Sequence, residues 1–332
     1  MHVSQVGDPE VNVRTIQRQL AALLPEARPA GPGEPTLELA TQGNDAPRLI
    51  SATVIEGASL RAQRVDGSPE PAFRAFLDGT QRSETAFHIG AIPVVLGRVA
   101  AVVRERRDRR LHTWGAPLRE QRLFAPRTLL SSAHWNALAS LPVALDDITD
   151  GAPATSAHPF ALREAAFHRV QSRREALERQ LAERWCGMER EPLLVDGGIS
   201  GSEAVAVSRL TVGVVKSHRT LYAEGDALGV VLGLGRGERS SVFRISSPRR
   251  TTVASWYLRL REPSGHDPMW GLVRVEVAHP APDAMARLGE RADEVSRWVL
   301  AEASPLALPD ARWDKMVYGV RDCEEFLRAT RA

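Results

Sequence analysis

The sequence predicts a mixed α/β fold, one sheet flanked by helices and entered through a short N-terminal extension. Three observations carry this. Residues 48–110 and 225–278 alternate or run apolar between turn residues, as strands do. Residues 159–187 place apolar side chains at helical spacing without a break. The order of strands, long helix, strands and two final helices suits one sheet covered by helices better than two independent domains.

In chain order, residues 10–25 predict an amphipathic helix with Val13, Ile16, Leu20 and Leu23 on one face. The Pro/Gly-rich stretch EARPAGPGEPT then reads as a connection, so residues 1–45 form an extension and 46–332 the main domain. The segments RLISATVIEG, SLRAQRVDG, AFRAFLDGT, ETAFHIGAIPVVLGRVAAVVRER and RLHTWGAPL read as strands, with a hairpin turn near Asp108. Residues 116–150 are mixed and run into the polar loop DDITDGAPATSAHP. The long helix carries Phe160, Ala166, Phe167, Val170, Leu177, Leu181 and Trp185 as its buried stripe and stops near Gly187. PLLVDGG, AVSRLTVGVVKSH, ALGVVLGLG, SSVFRIS, ASWYLRLRE and WGLVRVEVA follow as strands. DAMARLGERADEVSRWVLAEA and DKMVYGVRDCEEFLRATR are the last two helices.

Composition narrows the function. The 43 Lys and Arg are nearly balanced by 41 Asp and Glu, a net charge of +2, so any nucleic-acid site is a local patch rather than a global field. The two cysteines, Cys186 and Cys323, belong to no CxxC pair, which argues against a zinc site or a disulfide framework. The N-terminus has no basic segment followed by an apolar one, and no run of about 18 apolar residues occurs, so the expectation is a cytoplasmic protein with no membrane span.

Two segments carry the chemistry, FLDGT at 76–80 and LLVDGG beginning at Leu193. Each is an apolar strand reaching Asp-Gly, which holds a carboxylate, Asp78 or Asp196, at a sheet edge. Taken singly, Asp-Gly is a turn dipeptide. A cation site needs further carboxylates, and the long helix offers Glu178, which borders the buried stripe, with Glu175 second. The competing reading of either Glu is a solvated face paired with Arg174 or Arg179. Hard divalent cations such as Mn²⁺ or Mg²⁺ suit clustered carboxylates plus water. Lys216, after an apolar strand, reads either as a phosphate contact or as a surface lysine. Arg104, Arg106, Arg107, Arg109 and Arg110 surround the turn near Asp108 and, with Arg236 in a Gly-rich loop read as a hairpin turn, are candidate DNA contacts. The competing reading is a solvated hairpin tip neutralised by Glu105 and Asp108.

The ordered set of segments resembles the NurA family of nucleases. FLDGT resembles its first motif, the helix RREALERQLAERW followed by PLLVDGG its second, and GVVKSH, WYLRL and GLVRVEV the strands that follow, over about residues 70–330. The resemblance implies an RNase H-like fold and a Mn²⁺- or Mg²⁺-dependent nuclease acting on DNA ends. It also implies a homodimer that docks on a HerA-type hexameric ATPase. By position it assigns Asp78, Glu178 and Asp196 as metal ligands and Lys216 to the scissile phosphate. The family's Tyr-Pro…His ending is replaced by Ser304-Pro305 with no His after it. Asp314, or else Asp310, would supply the last metal ligand. Three other readings stay open: a catalytically weakened partner of the ATPase, an RNase H-like nuclease with another nucleic-acid substrate, and a role in antiphage defence rather than DNA repair.

Overall fold

The computed structural model describes residues 11–30, 47–108, 110–150, 157–188, 190–303 and 317–330. Helix α1 (Val13–Leu23) starts at Asn12, whose side chain accepts from the Arg14 backbone N–H at 2.9 Å, a typical N-cap. Ile16 and Leu20 are buried, as their spacing predicts, but Leu23 is 51% exposed. The chain then departs from the expected connection. Strand β1 (Ala27–Pro29) pairs antiparallel with the far end of a later strand, Ala27 opposite Ile89. Ala27 is buried there. Pro29 is tolerated because β1 lies at an edge, where a missing N–H costs no ladder bond.

Short strands β2 (Arg48–Leu49), β3 (Thr53–Val54) and β4 (Ala62–Arg64) precede the main hairpin, β5 (Ala75–Ile89) and β6 (Ile92–Arg107). The sequence suggests one strand over 72–80 and another running from Glu84 to Arg106; instead 75–89 is a single strand and the chain turns at Gly90, φ 59°. Strand β5 is continuous because β6 pairs with it along its whole length, with one bulge between Thr85 and Phe87. The turn at Asp108, in left-handed conformation at φ 48°, leads into β7 (Arg110–Thr113) as expected. Then come β8 (Leu118–Ala125), α2 (Ser132–Ala139) and β9 (Ala144–Asp147). Helix α3 (Pro159–Met188) matches the predicted span, and it buries Leu162 where Phe160 was expected.

β10 (Leu193–Asp196), α4 (Glu203–Ala206), β11 (Thr211–Val215) and β12 (Thr220–Leu221) follow. The segment read as strand ALGVVLGLG is helix α5 (Asp226–Leu232). A short unbroken apolar run has no period that separates strand from helix, and burial of Val231 fixes the outcome. The Gly-rich loop after it therefore joins a helix to a strand, not two strands. The chain ends with β13 (Glu238–Ser240), β14 (Phe243–Ile245), β15 (Val253–Arg259), β16 (Leu272–Ala278), α6 (Leu288–Glu302) and α7 (Tyr318–Ala329).

Apart from β2 and β12, which pair with each other, the described strands build one large mixed sheet whose main path runs β3-β14-β15-β16-β11-β10-β5-β6-β8-β9. At its centre β5, β6 and β8 form an antiparallel meander, while β5, β10 and β11 are parallel. A parallel neighbour needs a crossover, and α3 supplies it. Helix α3 covers one face of the sheet, with Leu177, Leu181 and Trp185 packed beneath Leu77 and Leu193. Helices α6 and α7 cover the other, with Val295, Val299, Val320 and Leu327 against Phe76 and Leu194. Among the described residues, no helix is long and apolar enough to cross a membrane.

Candidate active site

The register of two parallel strands brings the two Asp-Gly segments together. Phe76 lies opposite Leu194 and Leu77 opposite Val195, so the next residues, Asp78 and Asp196, come off neighbouring strands at one level, near enough for Asp196 to act on the Asp78 carboxyl. Because side chains alternate across a strand, both carboxylates share the face of Phe76 and Leu194. The two aspartates differ in their setting. Asp196 ends β10, and Gly197 after it takes φ 134°, a backbone region that favours glycine. Asp78 lies within the fifteen-residue β5 rather than at its end, so its Asp-Gly is not a turn. Gly79 is needed for space instead, since a Cβ there would collide with Glu178 Oε1 and stand 2.9 Å from the Ala100 carbonyl oxygen.

That contact places Glu178 of α3 against Gly79, on the face of the sheet opposite the Asp78 and Asp196 side chains. Glu178 is 8% exposed and its Oε1 is buried without a hydrogen-bond partner. Its nearest cation is Arg174 one turn earlier, Nη1 at 3.6 Å. Asp78 is 3% exposed, accepts the Gly79 N–H at 2.7 Å through Oδ1, and leaves Oδ2 buried without a partner. Asp196 is more open and pairs with Lys216 Nζ at 2.9 Å. Lys216 follows directly on β11, and Val214 lies opposite Asp196, so the ammonium and the carboxylate share one face. Glu175, the second choice on the helix, is exposed and accepts from Gln171 at 2.9 Å.

Burial is the largest influence on both buried acids. It pushes the Asp78 carboxyl well above the usual range; Asp196, Glu178 and Glu324 push the same way, and Lys216 opposes them. Glu178 is raised to about 7, chiefly by burial, with Arg174 opposing and Asp196 and Glu175 adding to it. Clustered carboxylates with raised pKa values and unpartnered oxygens are the surroundings a hard cation relieves. Among the described residues, no group of three or more His, Cys, Asp and Glu is arranged as a ready-made metal cluster. Asp78, with Oδ2 buried and unpartnered, and Asp196 on the same face are carboxylates whose chemistry suits Mn²⁺ or Mg²⁺, whereas Glu178 lies on the other face with Arg174 at 3.6 Å. Asp314 and Asp310 lie outside the described residues.

Two acids escape the sequence reading. Glu276, within the segment read as strand WGLVRVEVA, is 2% exposed on β16. It accepts the Ile199 N–H at 2.9 Å and Arg274 Nη2 at 2.8 Å, which anchors the turn that follows Asp196. Glu324 of α7 reaches the field of Asp78 and pairs with Arg328 at 3.1 Å. An acid at an inward position of VRVEV is the one signal that pointed to Glu276.

The arginines near Asp108 do not act as a group. Arg104 donates to Asp322 at 2.6 Å, Thr113 and the Leu111 carbonyl, and lies over the Phe326 ring. Arg106 forks onto both oxygens of Glu302 at 2.7 Å and stacks on Phe76. These two hold α7 and α6 on the sheet, each guanidinium paired with a carboxylate inside the fold. Arg107 is exposed and pairs with Glu105 at 2.5 Å; Arg110 is exposed opposite it, and Arg109 lies outside the described residues. Arg236 is exposed and lines a separate cavity of about 320 Å³ with Arg64 and Arg261.

Compared with protein-family models and with curated proteins, the chain matches none.

Proposed function

We propose that the chain is a metal-dependent nuclease that hydrolyses DNA phosphodiesters on an RNase H-like sheet. The observation that carries this is the placing of Asp78 and Asp196 at one level of adjacent parallel strands, with buried, unpartnered acid oxygens and Lys216 beside them. The antiparallel meander, helical crossover and parallel pair at the centre of the sheet support the fold reading. In open α/β sheets, sites form outside the carboxyl ends of strands where the direction of winding changes, and β10 and β11 end at this place.

Asp78 and Asp196 would hold Mn²⁺ or Mg²⁺, with Asp314 the proposed remaining ligand; Glu178, a ligand by the resemblance, would have to reach the ion past Gly79 from the α3 face. Such an ion, when bound, supplies Lewis acidity and a hydroxide at neutral pH. The chain's own residues prepare the place. Lys216 holds Asp196 and presents a point charge to a phosphate oxygen. Glu276 fixes the turn behind Asp196, and Gly79 leaves room for the Glu178 carboxylate. A homodimer docked on a HerA-type hexameric ATPase, in the cytoplasm, belongs to the same proposal through the resemblance to NurA nucleases.

The test is end-labelled linear DNA incubated with the purified chain in Mn²⁺, Mg²⁺ or EDTA, with Asp196→Ala alongside. Cleavage that needs the ion and falls at least about 1,000-fold in the variant is expected, since losing ion-centred stabilisation of several kcal/mol has that effect. Full activity in Asp196→Ala overturns the reading. A second reading, a non-catalytic partner of the ATPase, is favoured by Ser304-Pro305 standing where Tyr-Pro is expected. It predicts complex formation without cleavage in any lane.

A further inference from the structure

We propose that a groove beside the acidic centre binds the sugar-phosphate backbone of the nucleic-acid strand whose phosphodiester lies at Asp78. The proposal rests on the nuclease reading and adds a binding surface to it. The groove holds about 470 Å³ and is lined by Asn12, Thr80, Arg82, Glu84, Arg98 and Arg119, among others.

Strand register puts these side chains on the same face as Asp78. Alternation along β5 gives residues 78, 80, 82 and 84 one face. Across the hairpin Thr80 lies opposite Ala100 and Arg82 opposite Arg98, and on β8 Arg119 lies opposite Ala100. The groove therefore begins two residues from Asp78, roughly 7 Å along the strand, and reaches Arg82 at roughly 13 Å. Its floor is low because Thr80 and Ala100 are small.

The start of α1 forms one wall, and the end of α7 is tied to a lining arginine. Gln121 holds the backbone N–H and carbonyl of Val11 at 2.8 Å each, which seats the start of α1 on one side. Arg119 donates to Thr330 Oγ1 at 2.6 Å, which links the groove to the end of α7.

The charge points to an anionic ligand. The lining holds three guanidinium groups against one carboxylate, Glu84, an excess of two positive charges. Glu84 pairs with Arg98 at 2.5 Å and stands 3.8 Å from Arg82. Arg82 keeps a side chain 56% exposed. In a chain whose whole net charge is +2, this is a local concentration. Guanidinium groups grip phosphate oxygens in a planar fork, and contacts to backbone phosphates position a strand without reading its sequence. The Arg-lined groove thus continues the line on which the acidic centre sits, as a strand threading past Asp78 requires.

The test is fluorescence anisotropy with 5′-fluorescein oligonucleotides, single-stranded and duplex, with Ca²⁺ replacing Mn²⁺ so that binding is read alone. Arg82→Ala/Arg119→Ala, Arg82→Lys/Arg119→Lys and Arg179→Ala, on the outer side of α3, are compared with the parent chain, each checked for an unchanged melting temperature. The double alanine variant is expected to bind at least about tenfold more weakly, with the slope of log K against log salt reduced by roughly one to two. The lysine pair recovers much of the slope and part of the affinity, because charge returns without the fork. Arg179→Ala binds as the parent does. Equal affinity and slope in the double alanine variant, or a parent chain that binds neither oligonucleotide, overturns the proposal. Binding that needs the two arginines in a chain that cleaves nothing retains the groove and removes the nuclease reading. Cleavage with arginine-independent binding does the reverse.

Discussion

Around Arg239 the buried charges balance one another, whereas around Asp78 they do not. Arg239 is 1% exposed, forks onto Glu56 at 2.7 and 2.9 Å and donates to Asp293 at 2.6 Å. Glu56 also accepts the Val242 N–H at 2.8 Å, and its carboxyl is held below the usual range although burial alone would raise it. At the acidic centre the same physics has the opposite outcome. Burial and neighbouring carboxylates dominate, and Asp78 and Glu178 are pushed upward with oxygens left unpartnered. A buried charge that is fully paired ties elements together: here the 56 loop, β13 and α6. A buried charge left in deficit is costly to the fold, and it makes sense where a ligand completes it.

Three substitutions sharpen this contrast. The largest effect on stability is expected from Arg239→Met, which strands Glu56 and Asp293 in the interior. Breaking a buried pair from one side costs about 3–5 kcal/mol, read as a lowered denaturation midpoint whether or not Mn²⁺ is present. A midpoint within experimental error of the parent's would remove the contrast.

Glu178→Gln should act in the other direction. The folded state raises the Glu178 carboxyl from 4.5 to about 7, so folding favours its protonated form. That contribution is complete below pH 4.5 and lost as pH rises through about 7, where the ionised acid is disfavoured by about 3 kcal/mol. Without metal, Glu178→Gln is therefore expected to melt above the parent at pH 8 and level with it near pH 5. Mn²⁺ should narrow the gap at pH 8 by stabilising the parent. Curves that differ by the same amount at both pH values would show that Glu178 does not titrate in this range.

The smallest effect is expected from Gly79→Ala. The added methyl meets Glu178 Oε1 and the Ala100 carbonyl, so Glu178 must move. Overpacking of this kind costs about 1–3 kcal/mol. Combining it with Glu178→Ala should recover part of that loss in thermal melts, because the colliding carboxylate is gone. A double variant no more stable than Gly79→Ala would place the strain at Ala100 instead.

Local patterning made the long helix legible, since α3 keeps one period over thirty residues and its packing follows from that period. The two Asp-Gly segments were legible as carboxylates on apolar strands, and Lys216 as a cation after another. Local pattern failed at α5, where a short apolar run suits either helix or strand. It was silent on the partners of Arg104 and Arg106, because a basic cluster looks the same in sequence whether it faces solvent or anchors helices through Asp322 and Glu302.

The sequence alone determined which elements form and which residue types stand on them, because hydrophobic period and turn chemistry act over a few residues. Only the tertiary structure decided which of those residues meet. The parallel register of β5 and β10 joins Asp78 to Asp196, the crossover of α3 sets Glu178 above Gly79, and the β5–β6–β8 register gathers Arg82, Arg98 and Arg119 into one groove. Each of these meetings depends on pairing between distant segments, and a shift of one residue in register would turn every one of those side chains to the opposite face.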